Sequence, residues 1–205
     1  MGTATGKGLT ILLILLSLTG AGQTEIDKYA ESNSSASLSS YAGYIALYQG
    51  QSFTNTNSIT LSSCKAYLTK TGSPTGSIYA YIYAHTGTYG STGVPTGSAL
   101  ATSDAVDVST LTGSQALYTF TFSGANKITL TASTYYCLVI AYNGGNSSNL
   151  INVFRDNSSS THSGNWYYSG NASSWTAANQ DMIFYVYGES GTPAASPTPF
   201  MQTQY

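Results

Sequence analysis

The chain has 205 residues, of which only 6 are Lys or Arg and 8 are Asp or Glu, whereas 18 are Tyr and 21 are Gly. Charged residues make up 7% of the chain, against about 25% in an average soluble domain, so Ser, Thr, Asn, Gly and Tyr must solvate the surface. Nucleic-acid binding needs clustered Lys and Arg; the few here are scattered and the net charge is -2, which excludes that class. A hydrophobic content of 41% is enough to bury the core of one folded domain.

Residues 1–22 are predicted to be separate from the folded domain. Lys7 precedes an apolar run at residues 11–16 (ILLILL), and small residues follow at 20–22, which is the layout of a secretory signal peptide. The run is shorter than the roughly 20 residues that cross a bilayer, so the chain is predicted not to span a membrane. A second interpretation stays open, in which this apolar segment is retained and mediates assembly.

Period-two alternation of apolar and polar residues runs through the middle of the chain and predicts strands. No amphipathic helix is predicted. The predicted strands are, in chain order, residues 44–48, 59–68, 77–85, 106–111, 117–122, 128–130, 135–142, 150–154 and 182–187. About nine short strands separated by Gly, Ser, Asn and Pro turns predict an all-β fold at residues 23–190, an antiparallel β-sandwich of jelly-roll type. Residues 191–205 contain three prolines and are predicted to form a flexible tail.

Two of these strands carry further information. In residues 59–68 the apolar side chains change from odd to even positions, which predicts a β-bulge near Ser62 and Ser63. In residues 77–85 one face carries Tyr79, Tyr81 and Tyr83 and the other carries Ile and Ala. Two interpretations of the tyrosine face stay open: a glycan or self-association surface that would make a homo-oligomer, or an inner face of the sandwich.

The two cysteines, Cys64 and Cys137, both fall in predicted strands. Behind a signal peptide an even number of cysteines predicts a disulfide, which would be worth about 4 kcal/mol for a loop of this length. The alternative is two buried free thiols that pack as small hydrophobic groups.

Several turn and strand-end segments resemble those of the choice-of-anchor type domains. The segments are 50–54 (GQSFT), 83–90 (YAHTGTYG), 95–103 (PTGSALATS), 120–124 (FTFSG) and 185–188 (YVYG). The resemblance covers residues 24–189 and implies a β-sandwich module of secreted or surface proteins; similar sequences occur among phage and other environmental virion proteins. Its motifs are structural, so it implies no catalytic residue.

The residues predict no enzyme, because the few carboxylates and the two histidines, His85 and His162, show none of the spacings that catalysis or metal binding requires. No metal and no cofactor is predicted. The residues suit ligand binding better than catalysis. Residues 155–178 lack a core pattern and are predicted to form a long loop rich in aromatic and amide side chains, and such loops often bind ligands. The predicted ligand-binding residues are Arg155, Asp156, Trp166, Tyr167 and Trp175, with Tyr89 in a second loop.

Sugars present apolar C–H faces surrounded by hydroxyls, so exposed aromatic rings beside hydrogen-bonding groups suit them. The sequence therefore predicts a non-catalytic extracellular module, secreted or surface-displayed, that binds a glycan or a surface protein. Two alternatives stay open: that Trp166 and Trp175 only plug the end of the sandwich, and that the protein is a structural virion component assembled through its N-terminal segment.

Overall fold

The computed structural model describes residues 22–189, where antiparallel strands form two sheets packed against each other. The predicted all-β sandwich is confirmed, but the described residues contain fifteen strands rather than about nine. In chain order these are β1 (Gln23–Tyr29), β2 (Ala36–Ser40), β3 (Tyr48–Thr54), β4 (Ile59–Thr71), β5 (Ser77–Thr86), β6 (Val94–Thr102), β7 (Val106–Asp107), β8 (Ala116–Thr121), β9 (Thr129–Leu130), β10 (Tyr135–Ala141), β11 (Leu150–Asp156), β12 (Trp166–Ser169), β13 (Thr176–Ala178), β14 (Asp181–Met182) and β15 (Phe184–Glu189). The predicted N-terminal segment, except Gly22, and the predicted C-terminal tail lie outside the described residues.

Sheet A has eight strands in the order β1-β15-β4-β11-β14, with β2 paired to β11 and with β8 and β9 paired to β4. Sheet B has seven, in the order β13-β12-β3-β10-β5-β6, with β7 paired to β5. Three short 3-10 helices, Glu31–Asn33, Val108–Thr110 and Gly124–Asn126, lie in the connections. Strand β10 is central in sheet B, between β3 and β5, which agrees with its apolar sequence.

The core lies between the two sheets because alternate side chains of each strand point inward. Its largest fully buried members on the strands include Phe53, Phe120 and Phe184. Strand β4 joins both halves of sheet A, and its register against β15 shifts so that Tyr187 faces Ser63 but Gly188 faces Leu61. The extra residue is Ser62, which confirms the predicted bulge.

Three predictions of local structure were wrong. Residues 106–111 form a strand only at Val106–Asp107 and continue as the 3-10 helix Val108–Thr110, because the Asp107 carboxylate accepts a hydrogen bond from the Ser109 N–H at 2.8 Å. Residues 44–48 are not a strand, because the chain turns at Tyr41–Tyr44, where the Tyr44 N–H donates to the Tyr41 carbonyl (3.0 Å) and Gly43 has φ +81°; β3 begins only at Tyr48. Residues 155–178 are not one long loop either, because they contain β12, all of β13 and the end of β11.

The predicted disulfide is also wrong, because both cysteines are free and buried. Cys64 lies in the core between the sheets, whereas Cys137 points to the opposite side of sheet B, where it packs with Val139 and Tyr167. Burial raises the pKa of both thiols, that of Cys137 to about 12. The two side chains therefore belong to different layers of the molecule.

Candidate functional site

The outer face of sheet B, turned away from the core, is covered by aromatic side chains. On β5, Ile78, Ala80 and Ile82 are fully buried in the core, so the intervening tyrosines point outward. This geometry excludes the inner-face interpretation of the tyrosines. We call the aromatic side chains of this face the aromatic stripe: Tyr48, Tyr79, Tyr81, Tyr83, His85, Tyr89, Tyr135 and Trp175.

The middle of the stripe is a row of regularly spaced rings. The ring centroids of Tyr79 and Tyr81 are 6.2 Å apart, as are those of Tyr81 and Tyr83. Trp175 continues the row sideways, since its ring meets those of Tyr48 and Tyr83 edge-on, each at 6.3 Å. All these side chains are half-buried, so each ring keeps part of its surface open to solvent.

The far end of the stripe is a stacked pair. The rings of Tyr89 and Tyr135 lie 4.2 Å apart with an interplanar angle of 14°, and His85 contacts both, at 5.9 and 5.5 Å between centroids. Tyr135 is 47% exposed. Tyr89, which the sequence predicts to contact a ligand, therefore lies on this face.

A glycine and a buried tyrosine support the stripe from below. A Cβ on Gly50 would lie 2.0 Å from the Leu138 carbonyl oxygen and 2.6 Å from a ring carbon of Tyr167. The missing side chain makes room for the Tyr167 ring, which is fully buried and donates its hydroxyl to the Leu138 carbonyl at 2.9 Å. Trp175 packs on this ring at 5.5 Å, so Tyr167 supports the stripe rather than facing solvent.

The turn before β13 positions Trp175. The side-chain carbonyl of Asn171 accepts hydrogen bonds from the backbone N–H groups of Ser173 (3.0 Å) and Ser174 (2.9 Å), an Asx turn. Ala172 has φ +56°, which closes the turn tightly. Together these features direct the Trp175 ring back over sheet B.

A groove of about 220 Å³ lies at the other end of the stripe. Its floor includes Tyr48, Tyr79 and Tyr81, and its walls are the turns at residues 75–77 and 142–144. The walls are tied together by the Tyr142 hydroxyl, which donates to the Thr75 carbonyl at 2.9 Å. The groove is open to solvent and continues the aromatic surface.

The stripe carries no charge at neutral pH. No Asp, Glu, Lys or Arg occurs in it or among the residues that line its groove. Burial raises the pKa of Tyr81 and Tyr83, with a smaller contribution from Tyr48, and raises that of Tyr89 to about 12. Burial also lowers the pKa of His85, so its imidazole stays neutral.

The other predicted site residues lie elsewhere. Arg155 and Trp166 meet in a second depression, which we call the edge cleft, where the margins of the two sheets leave a space of about 290 Å³. The edge cleft is lined by Leu38, Ile45, Arg155, Trp166, Tyr168, Thr176, Ala178 and Gln180. The sequence analysis thus assigned these residues to one site, whereas the fold divides them between two surfaces.

Asp156 has a structural position. Its carboxylate accepts hydrogen bonds from the Tyr29 and Ser35 hydroxyls (2.9 and 2.8 Å) and from the backbone N–H groups of Ser158 and Ser159 (2.9 and 3.1 Å). Burial alone would raise its pKa, but these donors outweigh burial and hold the pKa of Asp156 below its ordinary value. With its oxygens engaged internally, Asp156 stabilises the turn after β11 and faces neither depression.

Sequence reasoning missed Tyr48 and Tyr135. Tyr135 shares its parity with Cys137 and Val139 in β10, and these positions pair with the tyrosines of β5: Cys137 faces Tyr83, and Val139 faces Tyr81. The alternation in β10 therefore already indicated that Tyr135 lies on the same face as Cys137 and Val139. That this face continues the tyrosines of β5 is known only once β10 and β5 are known to be neighbours.

Scans against protein-family models, curated proteins and solved structures found no match to this chain. Residues 22–189 contain no group of three or more His, Cys, Asp or Glu side chains that could hold a metal ion. Within the same residues, no helix has the length and apolarity needed to cross a membrane.

Proposed function

We propose that the protein is a non-catalytic module that binds a neutral polysaccharide along the aromatic stripe. The observation that carries the proposal is the continuity of the stripe: the β5 segment from Tyr79 to His85 alone extends about 20 Å, at roughly 3.3 Å per residue. We propose that the protein meets this ligand outside the cell, as a secreted or surface-displayed module.

The chemistry of the face supports a sugar ligand. Aromatic rings bury the C–H faces of pyranose rings, and tyrosine hydroxyls both donate to and accept from sugar hydroxyls. The stripe and its groove place no cation opposite a phosphate or sulfate ester, so the chemistry favours a neutral chain. Half-buried rings whose neighbours hold them in place lose little rotamer entropy on binding, which favours affinity.

The same groups argue against a reaction at this face. General acid–base catalysis uses groups whose pKa values lie near the working pH, whereas burial raises the pKa of Tyr89 to about 12. No carboxylate lines the groove beside Tyr79 and Tyr81. The tyrosines of the stripe therefore offer contact area and hydrogen bonds but no proton-transfer group matched to neutral pH.

The test is binding to neutral polysaccharides by affinity electrophoresis and by co-sedimentation with insoluble ones, using a panel of β-glucans, mannans, xylans and chitin. We expect at least one to retain the wild-type protein, and Trp175→Ala and Tyr81→Ala each to weaken that binding tenfold or more. Tyr187→Ala, on the outer face of sheet A, is the matched control and should bind as the wild type does. Thermal melts establish that each variant is folded.

Two outcomes would overturn the proposal. One is failure of every neutral polysaccharide to bind the folded wild-type protein. The other is a dimer in sedimentation velocity that Tyr81→Ala dissociates, which would show that the stripe is covered by a second copy of the chain.

A further inference from the structure

The edge cleft contains an unusual cation. Arg155 is the chain's only arginine, and none of the carboxylates among residues 22–189 lies within ion-pair distance of it. Its neighbour Asp156 is occupied by hydrogen bonds from the Tyr29 hydroxyl and from its own turn. The guanidinium group is half-buried, and burial lowers the pKa of Arg155 without a counter-charge to offset it.

Two contacts orient the guanidinium group. Its Nε donates to the Gln180 side-chain oxygen at 2.7 Å, and its central carbon lies 4.7 Å from the centroid of the Trp166 ring. Stacking on an aromatic face orients the plane of the guanidinium. With Nε bonded to Gln180, the terminal Nη groups carry the remaining N–H donors.

Two donors at this place have no partner. Nη1 of Arg155 and Nε1 of Trp166 are both buried without a hydrogen bond. Unpaired buried donors are costly and are rare in folded proteins. An acceptor that enters the cleft, with a small movement of the half-exposed Arg155 side chain, would satisfy the guanidinium.

The cleft also offers a surface for a ring. The half-buried Tyr168 ring lines the cleft and stacks on the buried Trp166 ring at 5.0 Å with an interplanar angle of 29°. Ile45, which is 61% exposed, forms the rim. A volume of about 290 Å³ is at the small end of ligand sites. It suits one sugar-sized ring rather than a large cofactor.

We propose that the edge cleft is a second binding site, specific for the carboxylate of an acidic sugar such as a hexuronate. The carboxylate accepts two hydrogen bonds from Arg155, a geometry that the planar guanidinium favours, while the sugar ring lies against the half-buried Tyr168 and the exposed Ile45. This inference is independent of the neutral-polysaccharide proposal, because the edge cleft and the aromatic stripe share no residue.

The test compares a galacturonate trisaccharide with its methyl ester by calorimetry and by chemical-shift mapping of the full chain. The two ligands share the same sugar rings and linkages, and esterification removes the charge of each carboxylate and adds one methyl group, so the comparison needs no variant. We expect the acid to bind at least tenfold more tightly than the ester, to shift the Trp166 indole resonance, and to bind more weakly as salt rises.

Variants localise the effect. Arg155→Gln should lower affinity for the acid tenfold or more, and Arg155→Lys should recover only part of it, because an ammonium cannot form the two-pronged pair. Lys65→Gln, on sheet A, removes one positive charge elsewhere and should have no effect. Tyr81→Ala should leave acid binding intact, which separates this site from the stripe.

The proposal is overturned if the acid and the ester bind equally, if neither binds the folded protein, or if Tyr81→Ala removes acid binding while Arg155→Gln does not. A glutamate-containing peptide serves as the last comparison. Equal or tighter binding of the peptide at Arg155 would show that the cleft recognises carboxylates of proteins and would reject the sugar.

Discussion

Tyrosines alternate along one strand in each sheet, on β5 in sheet B and on β15 in sheet A, but their surroundings differ. On sheet A the Nζ atoms of Lys28 and Lys65 lie over the rings of Tyr185 and Tyr187, at 6.0 and 5.2 Å from the ring centroids. Glu31 accepts a hydrogen bond from the Tyr185 hydroxyl. On sheet A, charged side chains therefore already contact the faces or the hydroxyl groups of the tyrosines.

On sheet B no charged side chain lies in the stripe or lines its groove. The rings of Tyr79, Tyr81 and Tyr83 contact one another and Trp175 instead. The comparison teaches that a row of tyrosines is not by itself a binding surface. It becomes one where the neighbouring strands place no cation over the rings. The small number of charges in this chain makes that condition easy to meet on one face.

The largest expected effect comes from filling the space under the stripe. Gly50→Ala places a Cβ against the Leu138 backbone oxygen and the Tyr167 ring, and neither can yield without moving a central strand. We expect a loss of about 3 kcal/mol in the free energy of unfolding, measured by urea denaturation. Gly113→Ala, where an added Cβ meets nothing closer than 4.0 Å, is the control and should be near neutral; equal effects would contradict the packing argument.

A smaller effect is expected from the hydroxyl that joins β12 to β10. Tyr167→Phe removes the buried hydrogen bond to the Leu138 carbonyl and should cost about 1 kcal/mol, by the same denaturation experiment. Tyr187→Phe, on the partly exposed outer face of sheet A, should stay within about 0.5 kcal/mol of the wild type. If the two variants were equally stable, the support beneath the stripe would not depend on this bond.

A pH dependence tests the absence of charge on sheet B. Because burial lowers the pKa of His85, the unfolded chain binds the proton more readily, and stability should be fully present above about pH 6.5 and fall as the pH drops below it. The Nε2 atom is buried without a partner, so protonation would leave an unpaired charge. His85→Gln should flatten this part of the stability–pH curve, measured by thermal melts between pH 5 and 8.

The smallest effect is expected from reductant. Since Cys64 and Cys137 are free and lie in different layers, dithiothreitol should leave the melting temperature unchanged. Iodoacetamide should modify neither thiol in the native protein, because both are buried with raised pKa values, and should modify both in urea without reductant. Mass spectrometry reads out each state, and thiols that react only after reduction would show that a bond exists.

Local alternation allowed much of the fold to be predicted. The bulge at Ser62 followed from a change of phase in one strand, and the outward tyrosines of β5 followed from strict alternation. By contrast, β1, β2, β6, β12, β13 and all of β3 except Tyr48 were missed, because strands of mixed polar and small residues resemble loops. Their formation depends on pairing with strands distant in sequence, such as β1 with β15.

Several residues of the candidate sites were predicted, but their arrangement in space was not. Trp166, Tyr167 and Trp175 came from one aromatic stretch, but the alternation of β12 sends Trp166 and Tyr168 toward the core and the edge cleft, and Tyr167 toward the outer face. The contact between Arg155 and Trp166 joins strands of different sheets. Only the packing of the sheets brings them together, and no local pattern carries that information.

The equal spacing of Tyr79, Tyr81 and Tyr83 has a consequence for a polymeric ligand. A chain of identical units can be displaced along equivalent rings and still make equivalent contacts, so a long chain has several bound registers where a short one has few. Each doubling of the number of registers adds about 0.4 kcal/mol to the apparent binding free energy through statistics alone. Affinity should therefore continue to rise with polymer length after every ring is covered, and bound chains should slide rather than stay fixed.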